Sequence, residues 1–358
     1  MNATAKLHDL GQSLWLDNIT RDMLDDGTLA RHVSAWHLTG LTSNPSIFEK
    51  AIDGSGAYDD GIREKAGQGL SGEELFIELA LEDLRRAAAL FRPVHKETDG
   101  IDGWVSMEVS PLLANDTGGT IDAASAIHHK ADCDNLFVKI PGTPEGVPAI
   151  EESIFAGVPI NVTLLFSREQ YLAVADAYMR ALERRIEAGE APDVPSVASV
   201  FISRWDVAVQ DQVPDTLRNK LGIAIAGRVY RAYLDVLASE RWQKLAKAGA
   251  KPQRLLWAST GTKDPDASDT LYVTHLAAPD TINTMPGKTI EALVDHGKLD
   301  GVMDTDSRDA EAVLTRFAEA GVDIDALAHK LQVDGAEAFV TSWKKLLASI
   351  AEKSKALA

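Results

Sequence analysis

The chain has 358 residues, 45% hydrophobic and 25% charged, which is ample for a sizeable core in one large domain or two ordinary ones. Its net charge of −18 and pI near 4.9 exclude nucleic acid and anionic membrane as general partners, because both are held through basic patches. A small anionic substrate stays open, since a phosphate needs only a few local cations and backbone N–H groups.

Met1 to Leu10 has no apolar signal core, and no apolar run approaches the ~20 residues needed to span a bilayer. The single Cys133 rules out an intrachain disulfide and points to a reducing compartment, so a cytoplasmic protein is expected, as a monomer or a homodimer.

Short apolar segments alternate with longer amphipathic ones. Eight strands are predicted, at residues 14–16, 38–42, 105–109, 136–140, 160–164, 197–201, 255–259 and 272–276. Most are apolar on both faces, as parallel strands covered by helices must be. Between them, Ser71-Gly72-Glu73-Glu74 reads as a capping box ahead of a helix over 75–91. Ser167-Arg168-Glu169-Gln170 opens another that runs to about Ala188 and stops at Gly189. Residues 216–248 form one long helical stretch or two, ending at Gly249, and residues 313–358 add two or three helices.

This alternation predicts a single (β/α)8 TIM barrel across 1–358, with 306–358 as a C-terminal helical extension packed on it. The alternative is a doubly wound open sheet, weakened by the lack of a Gly-rich phosphate fingerprint after any strand. The polar loop 261–269 suits a cover over a site better than a domain boundary.

Asn135-Leu136-Phe137-Val138-Lys139-Ile140-Pro141 places a lysine near the C-terminal end of an apolar strand, where such barrels carry their chemistry. Burial disfavours an ammonium and lowers its pKa by up to ~3–5 units, leaving an amine able to form a Schiff base. The bland alternative is a lysine whose stem is buried and whose head snorkels to water.

Strand parity decides between them. Residues two apart share a face, so Asp17 falls with Trp15, Thr42 with Asn44, Glu108 with Ser106, Asn161 with Thr163, and Ser199 with Phe201. Six strands each bring a polar or ionisable residue to one end among apolar neighbours, which a purely structural barrel does not require. Lys139 can attack a ketone to give an iminium. Asp17 and Glu108 are candidates for proton transfer, Asn44 and Asn161 for holding substrate hydroxyls, and Thr163 for holding a water against Glu108.

Leu41-Thr42-Ser43-Asn44-Pro45-Ser46, Val105-Ser106-Met107-Glu108-Val109, Val138-Lys139-Ile140-Pro141, Asn161-Val162-Thr163-Leu164-Leu165-Phe166-Ser167 and Ser199-Val200-Phe201-Ile202-Ser203-Arg204 resemble, in that order, the transaldolase family of class I Schiff-base aldolases. The resemblance runs from about Leu14 to about Lys263. It implies an enzyme of the pentose phosphate pathway that moves dihydroxyacetone between sugar phosphates, without a metal or organic cofactor. Lys139 then resembles the Schiff-base lysine, Asp17 the acid/base for C–C cleavage, and Glu108 with Thr163 the pair that positions a catalytic water. Asn44 and Asn161 would orient the dihydroxyacetone unit, Ser199 would line the pocket, and Arg204 would bind phosphate.

Two departures stand out. The better-known members carry Ala-Ser-aromatic-Arg after the seventh strand, whereas this chain has Ala258-Ser259-Thr260-Gly261-Thr262-Lys263. Ser259 is retained, and Lys263 is expected to replace the second phosphate-binding arginine as a point charge. Val109-Ser110-Pro111-Leu112 stands where an Asp and an Arg are usual.

The rivals are an aldolase that releases free dihydroxyacetone, a non-catalytic sugar-phosphate-binding barrel, and one domain of a fusion with a sugar-phosphate isomerase. Relatives of the first kind carry Gln and Tyr where this chain has Glu108 and Phe201, so its choices are those of the transferases.

Overall fold

The computed structural model describes residues 2–299 and 301–357. Its strands are β1 (Ser13–Asp17), β2 (Leu38–Thr42), β3 (Val105–Glu108), β4 (Leu136–Pro141), β5 (Ile160–Leu165), β6 (Ser196–Phe201), β7 (Arg254–Ala258) and β8 (Ile282–Met285). All pairings are parallel, in the order β2-β1-β8-β7-β6-β5-β4-β3. Nearly every strand residue is buried, as the apolar composition requires once helices cover the outer face.

The ring closes between β2 and β3 through a single parallel bridge, Gly40 to Trp104. There Leu41 N donates to Trp104 O at 3.0 Å and Gly103 N to Thr39 O at 2.8 Å. A Cβ on Gly40 would fall 2.6 Å from the Trp15 ring and 2.7 Å from Trp104 O, so the seam needs a residue without a side chain.

The (β/α)8 expectation holds, with one correction. Residues 272–276 form no strand; Leu271–His275 is a short helix, and the eighth strand is Ile282–Met285. Tyr272, Val273 and Leu276 of that run are buried as helix packing, with the Tyr272 hydroxyl donating to Asp206 Oδ2 at 2.9 Å. In the true strand, Ile-Asn-Thr-Met, Thr284 lines the cavity and sits 2.8 Å from the Thr42 hydroxyl, while Asn283, on the opposite face, accepts from Thr260 Oγ1 at 2.8 Å.

Helix ends follow the local signals, except at one. Ser167 and Gln170 form a capping box on Arg168–Glu187, whose last turn is followed by Gly189 at φ 78°. Ser71 makes no side-chain cap on Gly72–Glu97. Gly72 enters at φ 54°, outside the right-handed range that a box at this helix start requires. The stretch at 216–248 divides into Leu221–Ala238 and Glu240–Lys247, broken at Ser239, which caps the second. After the last strand and the helix Gly287–His296 come Arg308–Glu319 and the long Ile324–Leu357. The last lies against the helices Pro45–Gly54 and Gly72–Glu97 and reaches β5, burying Leu331, Trp343, Leu346 and Ile350. Among the described residues no helix is long and apolar enough to cross a membrane.

Candidate active site

The C-terminal ends of the strands converge on a cavity of ≈ 230 Å³. Its wall includes Asp17, Thr42, Asn44, Lys139, Thr163 and Ser199. In-register neighbours on parallel strands share a face, and the register sets Glu108 beside Lys139 beside Asn161 across β3, β4 and β5, with Asp17 beside Thr42 across β1 and β2.

Lys139 is 6% exposed and lines the cavity. It donates to Ser43 O at 2.7 Å and stands 3.1 Å from Glu108 Oε1, an ion pair off the line of a hydrogen bond. Both carboxylate oxygens of Glu108 are buried without a hydrogen-bond partner among the described residues. Burial pushes the Glu108 carboxyl above its ordinary 4.5; the Lys139 charge opposes this, Asp17 adds to it, and Arg204 opposes it. Burial likewise raises Asp17 above 3.8, against the pull of Lys139, hydrogen bonds from Thr42 and Asn44, and the charge of Lys263. Thr42 Oγ1 donates to Asp17 Oδ1 at 3.1 Å and in turn receives the Thr284 hydroxyl at 2.8 Å, a short hydroxyl chain that fixes the carboxyl. Two acids with raised affinity for protons thus flank one amine, which is the setting for proton transfer in both directions.

The asparagines differ from each other. Asn44 Oδ1 caps the helix Pro45–Gly54, accepting from Ile47 N at 3.2 Å and Ser46 Oγ at 2.7 Å, while its amide end faces Asp17 and the cavity. Its turn-forming role and its place in the site coexist. Asn161 is wholly buried beside Lys139, donating to Ser106 Oγ at 3.3 Å and accepting from Ser199 Oγ at 2.7 Å.

Past Thr163 the chain kinks. Leu164 has φ 58°, and the β5–β6 register shifts between Val162 and Leu165, a bulge beside the site. Left-handed backbone at a non-glycine residue costs about 1–2 kcal/mol, so its surroundings must hold it. They do: Gln332 of the C-terminal helix donates Nε2 to Leu164 O at 3.0 Å and to Gly142 O at 2.9 Å.

At the mouth stand Arg204 and Lys263. Arg204 does not pair with Asp206, whose carboxylate is taken by Leu221 N, Gly222 N and the Tyr272 hydroxyl. Its guanidinium has no hydrogen bond or salt bridge among the described residues and lies over the rings of Phe201, 5.0 Å from the centroid, and Phe339, at 5.8 Å. Ser259, at φ 56° and hydrogen-bonded to Ser203 (Oγ to Oγ, 2.9 Å), turns the chain so that Gly261 and the exposed Lys263 reach the wall.

Every expected site residue lies in this region. Asp17, Asn44, Lys139, Thr163, Ser199, Arg204, Ser259 and Lys263 line the cavity, while Glu108 and Asn161 sit directly behind Lys139 in the same register row. Sequence reasoning missed Thr284, lost with the misplaced eighth strand, and Ala338, Phe339 and Ser342 of the C-terminal helix. The glycine at 335, inside an otherwise unbroken helical pattern, was the one available signal that this helix approaches something closely. No three His, Cys, Asp or Glu side chains among the described residues are placed to hold a metal ion.

A family model described as transaldolase/fructose-6-phosphate aldolase matches residues 14–350. The chain is 45% identical to a transaldolase of Acidothermus cellulolyticus, covering 97% of this chain and 95% of that one. It is 44% identical to those of Thermobifida fusca, at 97% of each, and of Thiobacillus denitrificans, at 98% and 100%.

Proposed function

Because the chain belongs to the transaldolase/fructose-6-phosphate aldolase family, we propose that the cavity above Lys139 moves a dihydroxyacetone unit from a ketose phosphate to an aldose phosphate through an imine on that lysine. The chain is accordingly an enzyme of the transferase class, a transaldolase. Sedoheptulose 7-phosphate and fructose 6-phosphate are the donors, in the pentose phosphate pathway of the cytoplasm.

Glu108, 3.1 Å from Nζ, takes the ammonium proton, and the amine adds to the ketone carbon. The carbonyl oxygen takes one proton from the added nitrogen and a second from Glu108 and leaves as water, with Glu108 and Thr163 guiding that water in and out. The iminium then draws the electron pair of the adjacent C–C bond, while Asp17 takes the proton of the hydroxyl on the departing carbon. The leaving aldose carries away its carbonyl, and the enamine left on Lys139 adds to the next aldehyde as Asp17 returns the proton. Hydrolysis of the resulting imine frees the lysine. Asn44 and Ser199 support the dihydroxyacetone hydroxyls, with Asn161 fixing Ser199 from behind. Arg204 and Lys263 receive the phosphate, and Ser259 turns the chain that delivers Lys263.

The observation that carries this reading is a buried lysine lining the cavity, its nitrogen in an ion pair with a carboxylate whose oxygens have no hydrogen-bond partner among the described residues. Borohydride reduction in the presence of fructose 6-phosphate is expected to leave a dihydroxyacetone remnant on Lys139 and none on Lys139→Arg. No adduct on the parent chain, or turnover by Lys139→Arg, overturns it. An assay for free dihydroxyacetone separates transfer from simple cleavage.

A further inference from the structure

The long helix Ile324–Leu357 presents Gln332, Gly335 and Phe339, at i, i+3 and i+7, on one face toward the strand ends. At Arg204 this face meets a charged group of the cavity. The guanidinium sits over Phe201 on its own segment and over Phe339 on the distant helix, and no described side chain donates to it or accepts from it. Rings therefore hold it, and its five N–H donors stay free. Gly335 sets the clearance: a Cβ there would lie 2.9 Å from Arg204 Nη1 and 2.9 Å from Leu164 Cδ2. Glycine inside a helix costs about 1 kcal/mol relative to alanine, so its presence here answers to the approach of both the arginine and Leu164.

We propose that Phe339 is a positioning residue for Arg204, and that Phe339 and Gly335 together make the C-terminal helix part of the grip on a substrate phosphate; this rests on the reading of the cavity as a sugar-phosphate site. A guanidinium tethered by a salt bridge would have to break it on binding. One tethered by ring faces keeps every donor available and loses only rotamer freedom it has already given up. Nothing in the chemistry at Lys139 needs Phe339, so the residue governs affinity for phosphate and not imine formation.

The test is calorimetric titration of inorganic phosphate into the full chain, with borohydride trapping of unphosphorylated dihydroxyacetone on Lys139 as the second readout. Phe339→Leu, which keeps bulk and removes the ring face, is expected to weaken phosphate about three- to fivefold, and Phe339→Tyr to restore it. Gly335→Ala is expected to weaken it at least as much. With fructose 6-phosphate the change falls on KM and not on kcat.

In an Arg204→Ala background, Phe339→Leu should add nothing. Parental phosphate affinity in Phe339→Leu, failure of Phe339→Tyr to restore it, an undiminished effect in the Arg204→Ala background, or no phosphate binding by the parent would each overturn the proposal. Absence of trapping on the parent with the phosphate results intact would sink the transfer chemistry and leave the phosphate grip standing.

Discussion

Replacing Gln332 isolates what the C-terminal helix does for β5. Gln332→Leu keeps the size of the side chain and removes the two hydrogen bonds given to Gly142 O and Leu164 O at 2.9 and 3.0 Å. Gln332 is buried, so water does not replace it freely. A buried acceptor left without a donor costs about 1–3 kcal/mol; carbonyls lie toward the low end, giving about 2–4 kcal/mol for the pair. With an unfolding entropy of roughly 2.1 cal/mol/K per residue, a chain of 358 residues shifts by about 1.3 °C per kcal/mol. The melting temperature should therefore fall by about 3–5 °C.

Gln332→Glu sharpens the test. It sets a carboxyl against two carbonyl oxygens in a buried place, which holds the introduced pKa above its unfolded value. The folded state then keeps a proton the unfolded state releases, so the stability contributed at acid pH is lost as pH rises through the raised folded pKa. Its deficit against the parent should be small near about pH 5 and widen toward about pH 8. Scanning calorimetry at both values reads it. A Gln332→Leu chain melting within about 1 °C of the parent, or a Gln332→Glu deficit indifferent to pH, would refute the reasoning.

Glu108→Gln should slow both transfer and borohydride-trappable imine formation by about 10²-fold while sparing inorganic phosphate binding, and unchanged trapping kinetics would place the proton transfers elsewhere. The same carboxyl, raised above 4.5 by burial, should set the acid limb of the parent's kcat/KM above that value and vanish from the profile of the variant. Asp17 is raised above 3.8, so its contribution to stability is full below that value and lost as pH rises through the folded pKa. Asp17→Asn should thus melt higher than the parent at neutral pH, with the gap closing toward acid, while losing C–C cleavage; a lower melting point at neutral pH would contradict this. Lys263→Ala should raise KM for fructose 6-phosphate by about tenfold and leave unphosphorylated donors alone, and equal effects on both would remove Lys263 from the phosphate end.

Most of the barrel was legible because parallel strands covered by helices are largely apolar, and seven of the eight predicted segments coincide with strands. The eighth does not. Ile282–Met285 carries a polar residue on each face, Asn283 and Thr284, while the more apolar 272–276 is drawn into a helix by the packing of Tyr272 and Val273. Lys139, Glu108 and Asp17 were legible through strand parity, since an ionisable residue on an inward face has few purely structural uses. The contribution of Phe339 and Gln332 was not. A helix more than 120 residues downstream of Arg204 meets it only through the tertiary fold, and no local spacing encodes that meeting.

The closure between β2 and β3 has a mechanical consequence. Seven joints of the ring are ladders of paired strands, and the eighth is a bridge at Gly40 with one further bond at each side. Strain entering the ring concentrates where it is least stitched, and the two strands that part there end in Thr42 and Glu108. Ser43, whose carbonyl accepts from Lys139 Nζ, follows directly on the first of them. The least-stitched sector of the scaffold and the anchorage of Lys139 are therefore the same place, and a slight opening there would loosen both grips on the lysine at once.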